Sequence, residues 1–378
     1  MAVRRVLYSA IQRQLNSRKI ILLTGGRQVG KTTLINQLAD AYTKPKLVLD
    51  GEDAETVRLL SDQTLSVYQR WLGDTQLLII DEIHLIPEFE RVLNYLTTSF
   101  PDLTILATSS LSFVPLTNIA AGRLSYFLYP LAQLELGTTE THLQTRQQVE
   151  QRLVYGSYPQ VIQCQNQADS TDYLKHFVTD YLLKDILLIE RIRNPEKMLQ
   201  LLRIIAYQVG QEIVYDDLSY QLQLDRNTIV RYLELFAKAS IIFRLSGYNQ
   251  NLRKEVTKSS KWYFFDNGVR NSLLNNVGSL MERPDIKVLW ENYLVAERIK
   301  RNTYLRSEAK PYFWRTYDQQ ELDWLEDVNG QLNGYLFNWF PKKIRFPKGF
   351  QKAYPNATVS VINPENYLDF ITPNYFNV

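Results

Sequence analysis

Gly25-Gly-Arg-Gln-Val-Gly30-Lys31-Thr32 is the segment that most narrows what this chain can fold into. It follows a short apolar run, Lys19 to Thr24, and precedes a stretch of helical spacing, Thr32 to Tyr42. Such a run suits a strand buried on both faces of a parallel sheet. Glycines between strand and helix let backbone N–H groups curl around an anion, and the helix offers that anion its positive N-terminal end. The pattern G-x-x-x-x-G-K-[ST] is the loop that cradles the phosphates of a nucleoside triphosphate. On this reading Gly25, Gly26, Arg27, Gln28, Val29, Gly30, Lys31, Thr32 and Thr33 line the ligand, ATP with Mg²⁺. Lys31 sets a cation against the β- and γ-phosphates, and the Thr32 hydroxyl ligates the metal. The Arg27 side chain is expected to face solvent or a partner rather than take part in the chemistry.

A second half of the site follows from Leu77-Leu-Ile-Ile-Asp81-Glu82, an apolar strand ending in two acids. Asp81 is expected to hold Mg²⁺, directly or through water, and Glu82 to orient or deprotonate the attacking water. A positioned general base contributes roughly 10²–10⁴ in rate. Two further strands are expected, Lys46 to Asp50 and Thr104 to Thr108. Ser110, just past the latter, is a candidate contact to the γ-phosphate or the water. Arg123 is a candidate arginine finger, in cis or from a neighbouring subunit; a surface salt bridge is the plainer alternative. Strands alternating with helices point to an α/β parallel sheet.

Composition sets broad limits. With 378 residues the chain has room for two or three domains, and 45% hydrophobic with 22% charged residues is ordinary for a globular protein. A net charge of +3 does not by itself call for a polyanionic partner. The charge is uneven, however. Residues 1–137 are balanced, whereas 244–310 carry a basic excess, so a polyanion-binding surface is expected in the C-terminal half. The single cysteine, Cys164, excludes an internal disulfide, and His84, His142 and His176 are too widely spaced for a zinc motif. No apolar run approaches the roughly 20 residues that span a bilayer, and Met1-Ala-Val-Arg-Arg has no apolar signal core. A cytoplasmic protein is expected.

Together, Thr24 to Thr32, Ile80-Asp-Glu-Ile83, Ala107-Thr-Ser-Ser110, Ala121-Gly-Arg123 and Tyr129-Pro-Leu131 with Glu135 resemble the prokaryotic family of AAA-type ATP-binding proteins that carry a C-terminal domain of unknown function. The resemblance covers nearly the whole chain. It departs at His84, where such proteins usually have glutamine, and at Ser109, where they usually have glycine. The resemblance implies an AAA-type P-loop NTPase core over residues 1–137. A helical region and a winged helix-turn-helix are implied over 138–265, and an α+β restriction-endonuclease-like domain over 266–378.

The residues of the C-terminal half carry expectations of their own. Tyr215 to Leu222 and Arg226 to Phe236 read as two helices around a turn at Gln223-Leu-Asp225, with Asp225 as cap and Ile229, Leu233 and Phe236 on one face. If this pair reads DNA, Asn227, Thr228 and Arg231 face the major groove. A wing over Gly247 to Phe265 then adds Arg253, Lys254, Lys258 and Lys261. Protein contact or plain packing is the alternative. In the last region the resemblance implies a helix acid, a strand acid and Glu-x-Lys on the next strand. Glu291 and Asp323 match the first two, but the third reads Leu336-Phe337-Asn338. Without that Glu and Lys, metal-dependent cleavage is not expected. The leading expectation is an ATP-driven switch or ATPase with a regulatory or DNA-associated output. Its rivals are a DNA-binding effector with structural ATP, an ATP-driven nuclease, and an interaction module that forms AAA-like homo-oligomers.

Overall fold

The structure, a computed structural model, describes residues 3–61, 64–112, 122–189, 192, 194–249, 260–316, 319–340 and 345–373. Ala121 and the basic residues Arg253, Lys254 and Lys258 lie outside the described residues. The chain divides into two compact units, residues 2–130 with Lys238–Ser240, and residues 131–237 with 241–378.

The first unit is built on strands β1 (Ile20–Thr24), β2 (Lys46–Asp50), β3 (Leu77–Asp81), β4 (Thr104–Ser109) and β5 (Arg123–Phe127). Among the described residues they form one sheet in the order β2-β3-β4-β1-β5, every pair parallel. All of β3 and β4, and most of β1, are buried, which is why these strands are unbroken apolar runs. Alternate side chains point to opposite faces. Ile20, Leu22, Leu78, Ile80, Ile105 and Ala107 pack with Leu60, Tyr68, Leu93 and Leu96 of the flanking helices. On the P-loop helix, Lys31–Ala41, Leu34, Ile35 and Leu38 are buried, three and four residues apart.

Strand β4 lies between β1 and β3. Because all strands run the same way, the ends of β1, β3 and β4 meet at one edge of the sheet. Register fixes this closely, with Thr24 opposite Ser109 and Ile80 opposite Ala107. Residues just beyond β1, β3 and β4 are therefore neighbours although far apart in sequence. Lys238–Ser240 belong to this unit too, and the Ser112 N–H donates to the Lys238 carbonyl over 2.7 Å.

The second unit begins with helices, among them His142–Tyr155, Gln167–His176 and Pro195–Tyr207. Helices Tyr215–Leu222 and Arg226–Lys238 follow, then the antiparallel pair β6 (Ile242–Ser246) and β7 (Ser260–Phe264). The boundary expected at 265/266 falls inside this unit. Helix Asn267–Leu273 is buried along its whole length, and the Asn271 amide donates to the carbonyls of Leu153 (3.0 Å) and Val154 (2.7 Å). A polar helix can sit there because its side chains satisfy backbone groups at the ends of its neighbours.

The remainder is α+β. Helix Ile286–Tyr304 precedes β8 (Lys310–Arg315), β9 (Glu321–Val328), β10 (Gln331–Phe337) and β11 (Thr358–Ile362), ordered β11-β10-β9-β8. Strand β10 pairs antiparallel with β9 and parallel with β11. Trp314, Leu322, Leu325, Leu332 and Phe350 form the core of this region. Arg298 ties the long helix to β9 through Glu326, at 2.6 and 2.7 Å, so the buried carboxylate is paired on both oxygens.

Candidate nucleotide site

The loop after β1 has the geometry its glycines imply. A Cβ on Gly25 would lie 2.1 Å from the Leu128 carbonyl oxygen, so no larger residue fits against that backbone. Gly30, at the mouth of the P-loop helix, takes the left-handed conformation at φ 100°, as does Gln28 at φ 59°. The Arg5 guanidinium braces the loop from outside by donating to the carbonyls of Val29 (2.6 Å) and Tyr129 (2.7 Å).

Lys31 opens the helix and is buried. Its Nζ donates to the carbonyls of Gly25 and Gly26, both at 3.1 Å, and to Ser110 Oγ at 2.8 Å, and lies 3.2 Å from Glu82 Oε1. Thr32 Oγ1 donates to Asp81 Oδ2 over 2.6 Å. Thr108, on the intervening strand, donates its hydroxyl to the other oxygen of Asp81 and accepts from the Glu82 N–H at 2.9 Å.

Glu82 has turned into the site. Its backbone is left-handed, φ 46°, and its carboxylate is held on both oxygens. Oε1 accepts from Ser110 Oγ (2.6 Å) and faces Lys31; Oε2 accepts from the Ser110 N–H (2.8 Å) and lies 3.2 Å from Nδ1 of His84. Burial opposes ionisation here, but the nearby His84 ring, the Lys31 charge and the Ser110 hydrogen bonds outweigh it. The carboxyl is held far below the usual carboxylate range.

The other expected residues fall elsewhere. Arg27 is half-buried and pairs with Glu52 at 3.4 Å, rather than standing in solvent. Arg123 does not join the cluster. It opens β5 opposite Ile20, whereas the loop begins after Thr24, which sits opposite Phe127. At about 3.3 Å per residue the four-residue offset is roughly 13 Å along the strand, toward the wrong edge of the sheet. The observed register of β5 on β1 thus sets Arg123 away from the loop of its own chain.

In the second unit, the turn between the paired helices has Gln223 left-handed at φ 51°. Asp225 caps the second helix, accepting from the Thr228 N–H at 3.0 Å and from the Thr228 hydroxyl. That hydroxyl is engaged in the cap, which counts against its expected role as a groove contact. Asn227 and Arg231 are exposed. Ile229, Leu233 and Phe236 are buried on the inner face, as the spacing predicts.

Lys261, expected on a solvated wing, points inward. It is 2% exposed, contacts Glu321 Oε1, and lies 3.7 Å from Glu291 Oε1 and 5.0 Å above the Phe313 ring. Tyr263 donates to Glu291 over 2.7 Å, and the Phe337 N–H donates to Asp323 over 2.6 Å. Desolvation beside Glu291 pushes the Asp323 carboxyl up to about 7. Strand β7 thus sets a buried cation between Glu291 and Glu321, and its charge also reaches Asp323. Nothing in linear spacing announces this, since Lys261 precedes both acids and sits in a stretch that reads as a basic wing.

Residues 17–137 match the AAA domain family, residues 146–279 a domain of unknown function (DUF8612), and residues 288–368 a second domain of unknown function (DUF4143). Residues 17–137 are thus an AAA-type P-loop domain, and residues 288–368 a DUF4143 domain. Relatives include the uncharacterized protein Rv2008c of Mycobacterium tuberculosis, 25% identical over 349 residues, covering 88% of this chain and 73% of that protein. The uncharacterized protein MJ1544 of Methanocaldococcus jannaschii is 22% identical over 384 residues, covering 95% and 84%. Among solved structures, the Walker-type ATPase PABY2304 of Pyrococcus abyssi is 15% identical with a TM-score of 0.46, covering 72% of this chain and 96% of that one. No helix among the described residues is long and apolar enough to cross a membrane.

Proposed function

We propose that the chain is an Mg²⁺-dependent ATPase that works as a switch, with Glu82 as its general base. The observation that carries this reading is the convergence of Lys31, Thr32, Asp81, Glu82 and Ser110 at one edge of the sheet. Thr32 and Asp81 offer a hydroxyl and a carboxylate side by side, 2.6 Å apart, a hard-oxygen pair suited to a magnesium ion that keeps most of its waters. The metal, when bound, supplies charge neutralisation at the phosphate oxygens.

The chain's own residues do the rest. Loop N–H groups and the helix N-terminus receive the phosphates. Lys31 and Ser110 exchange Glu82 for the γ-phosphate, a stronger and more highly charged acceptor. Glu82, released from Lys31, then orients a water and takes its proton. Its four contacts in the resting site keep that carboxylate from acting as a base until phosphate arrives. Any service by Arg123 to a γ-phosphate is to the site of another copy, and mass measured with and without ATP tests for such an assembly.

The output is proposed to involve DNA, through a winged helix formed by Tyr215–Leu222, Arg226–Lys238 and the β6–β7 pair. Exposed Asn227 and Arg231 on the second helix support this reading. The C-terminal α+β region is proposed as a restriction-endonuclease-like core without cleavage activity. One experiment tests the whole: ATP hydrolysis by the wild type and Glu82→Gln, with and without duplex DNA. Turnover lost in Glu82→Gln and changed by DNA in the wild type is expected. Unchanged hydrolysis in Glu82→Gln would remove Glu82 from its role. Salt-dependent duplex binding that survives Lys31→Ala would instead favour a DNA-binding effector with structural ATP.

A further inference from the structure

His84 lies on the single turn, Ile83–Leu85, that follows Glu82, and its side chain has no exposure to solvent. Nδ1 stands 3.2 Å from Glu82 Oε2. An ionised carboxylate only accepts hydrogen bonds, so with its proton on Nδ1 the imidazole is placed to hold this oxygen. The other groups holding Glu82 differ in kind. Lys31 and Ser110 line the loop and strand edge where phosphate is received, and both gain a competing acceptor when ATP binds. His84, sealed from the solvent side, gains none.

Among the described residues of β4 and of the helix after the turn, none can replace it. Strand β4, Thr104–Ser109, brings the Thr108 hydroxyl and leads into Ser110, but carries no ionisable side chain. Helix Phe89–Ser99 turns Val92, Leu93 and Leu96 inward, while Glu88, Glu90 and Arg91 at its start are exposed. Lys31 is the cation within reach from the P-loop helix, and it is the group the phosphate claims.

We infer that His84 is the positioning residue of Glu82, the tether that stays on Oε2 after Lys31 and Ser110 have turned to phosphate and leaves Oε1 to face the water. This rests on the proposed role of Glu82. A glutamate with three rotatable side-chain bonds, freed from every contact at once, would sample many positions, few of them productive. One fixed oxygen removes most of that freedom at no cost to ATP binding.

The test separates the hydrogen bond from the packing. His84→Phe keeps a buried ring and loses the donor. His84→Asn loses the ring and keeps an amide nitrogen at the same distance from the backbone as Nδ1. His84→Phe is expected to lower kcat about ten- to a hundredfold, with the ATP dissociation constant within about twofold of wild type. His84→Asn is expected to stay within about threefold in both. In a Glu82→Gln background, His84→Phe should cost almost nothing further, because the group it positions is gone. The reverse order, with Asn crippled and Phe active, would make His84 a packing residue and overturn the inference. So would equal losses in both variants, or a full further loss in the Glu82→Gln background. Failure of the ATPase reading is distinct: it shows as wild-type turnover that Glu82→Gln leaves intact.

Discussion

Thr32 and Asp81 stand 49 positions apart in sequence and share a hydrogen bond of 2.6 Å. The bond joins the first turn of the P-loop helix to the end of β3, across the inserted strand β4. It places a hydroxyl and a carboxylate side by side, where the proposed magnesium would be held. Thr32→Ala removes one of those oxygens and leaves the other. The magnesium concentration for half-maximal turnover should rise about tenfold, with phosphate contacts from Lys31 intact. A magnesium titration of ATP hydrolysis checks this.

Lys31→Ala should weaken ATP binding by about a hundredfold or more, since a buried cation with charge-assisted bonds to phosphate is lost. Glu82→Gln should bind ATP as well as the wild type and lose roughly 10²–10⁴ in turnover. Calorimetric titration with ATP and single-turnover hydrolysis separate the two effects.

Gly25→Ala is small in chemistry and large in geometry. The added methyl would sit 2.1 Å from the Leu128 carbonyl oxygen, which is backbone and cannot swing away. The loop must open, so ATP binding should fall to the level of Lys31→Ala. The first unit should also lose about 1–3 kcal/mol of stability, read by thermal unfolding.

The acids around Lys261 predict a pH dependence. Asp323 is held up to about 7, above its unfolded value of about 3.9. The folded chain therefore binds this proton more tightly than the unfolded chain does. Burial also raises the Glu291 carboxyl, whose charge is among the causes of the Asp323 shift. Stability of the second unit should fall as pH rises from about 4 through 7, and Asp323→Asn should flatten that slope. Urea unfolding at pH 5 and pH 8, wild type against variant, measures the difference. Lys261→Met should destabilise the unit by about 3 kcal/mol at pH 8 by leaving the carboxylates unpaired, and less at pH 5.

Much of the first unit was legible because burial on both faces writes a strand as an apolar run. Ile20–Thr24, Leu77–Asp81 and Thr104–Ser109 are of this kind. Arg123–Phe127 escaped notice because it is an edge strand with only Tyr126 buried, so polar and apolar residues mix. The helices around Gln223–Asp225 were legible from their cap and spacing. Strand order was not, since the insertion of β4 between β1 and β3 is a long-range choice. For that reason the position of Arg123 relative to the loop and the four contacts on Glu82 had to be seen. Lys261 illustrates the same limit: its charge suggested a solvated surface, and three distant carboxylates decided otherwise.

The short excursion of the chain at Lys238–Ser240 bears on how the protein can be taken apart. A fragment ending at residue 130 or 137 holds every strand of the first sheet yet deprives the Ser112 N–H of the carbonyl that receives it. Ser112 follows Ser110 by two residues, so the N–H left without its acceptor lies beside the strand end that carries Ser110. Excised ATPase fragments should therefore be less active than the whole chain for a reason unrelated to any partner, and dissection by truncation would misattribute that loss to regulation.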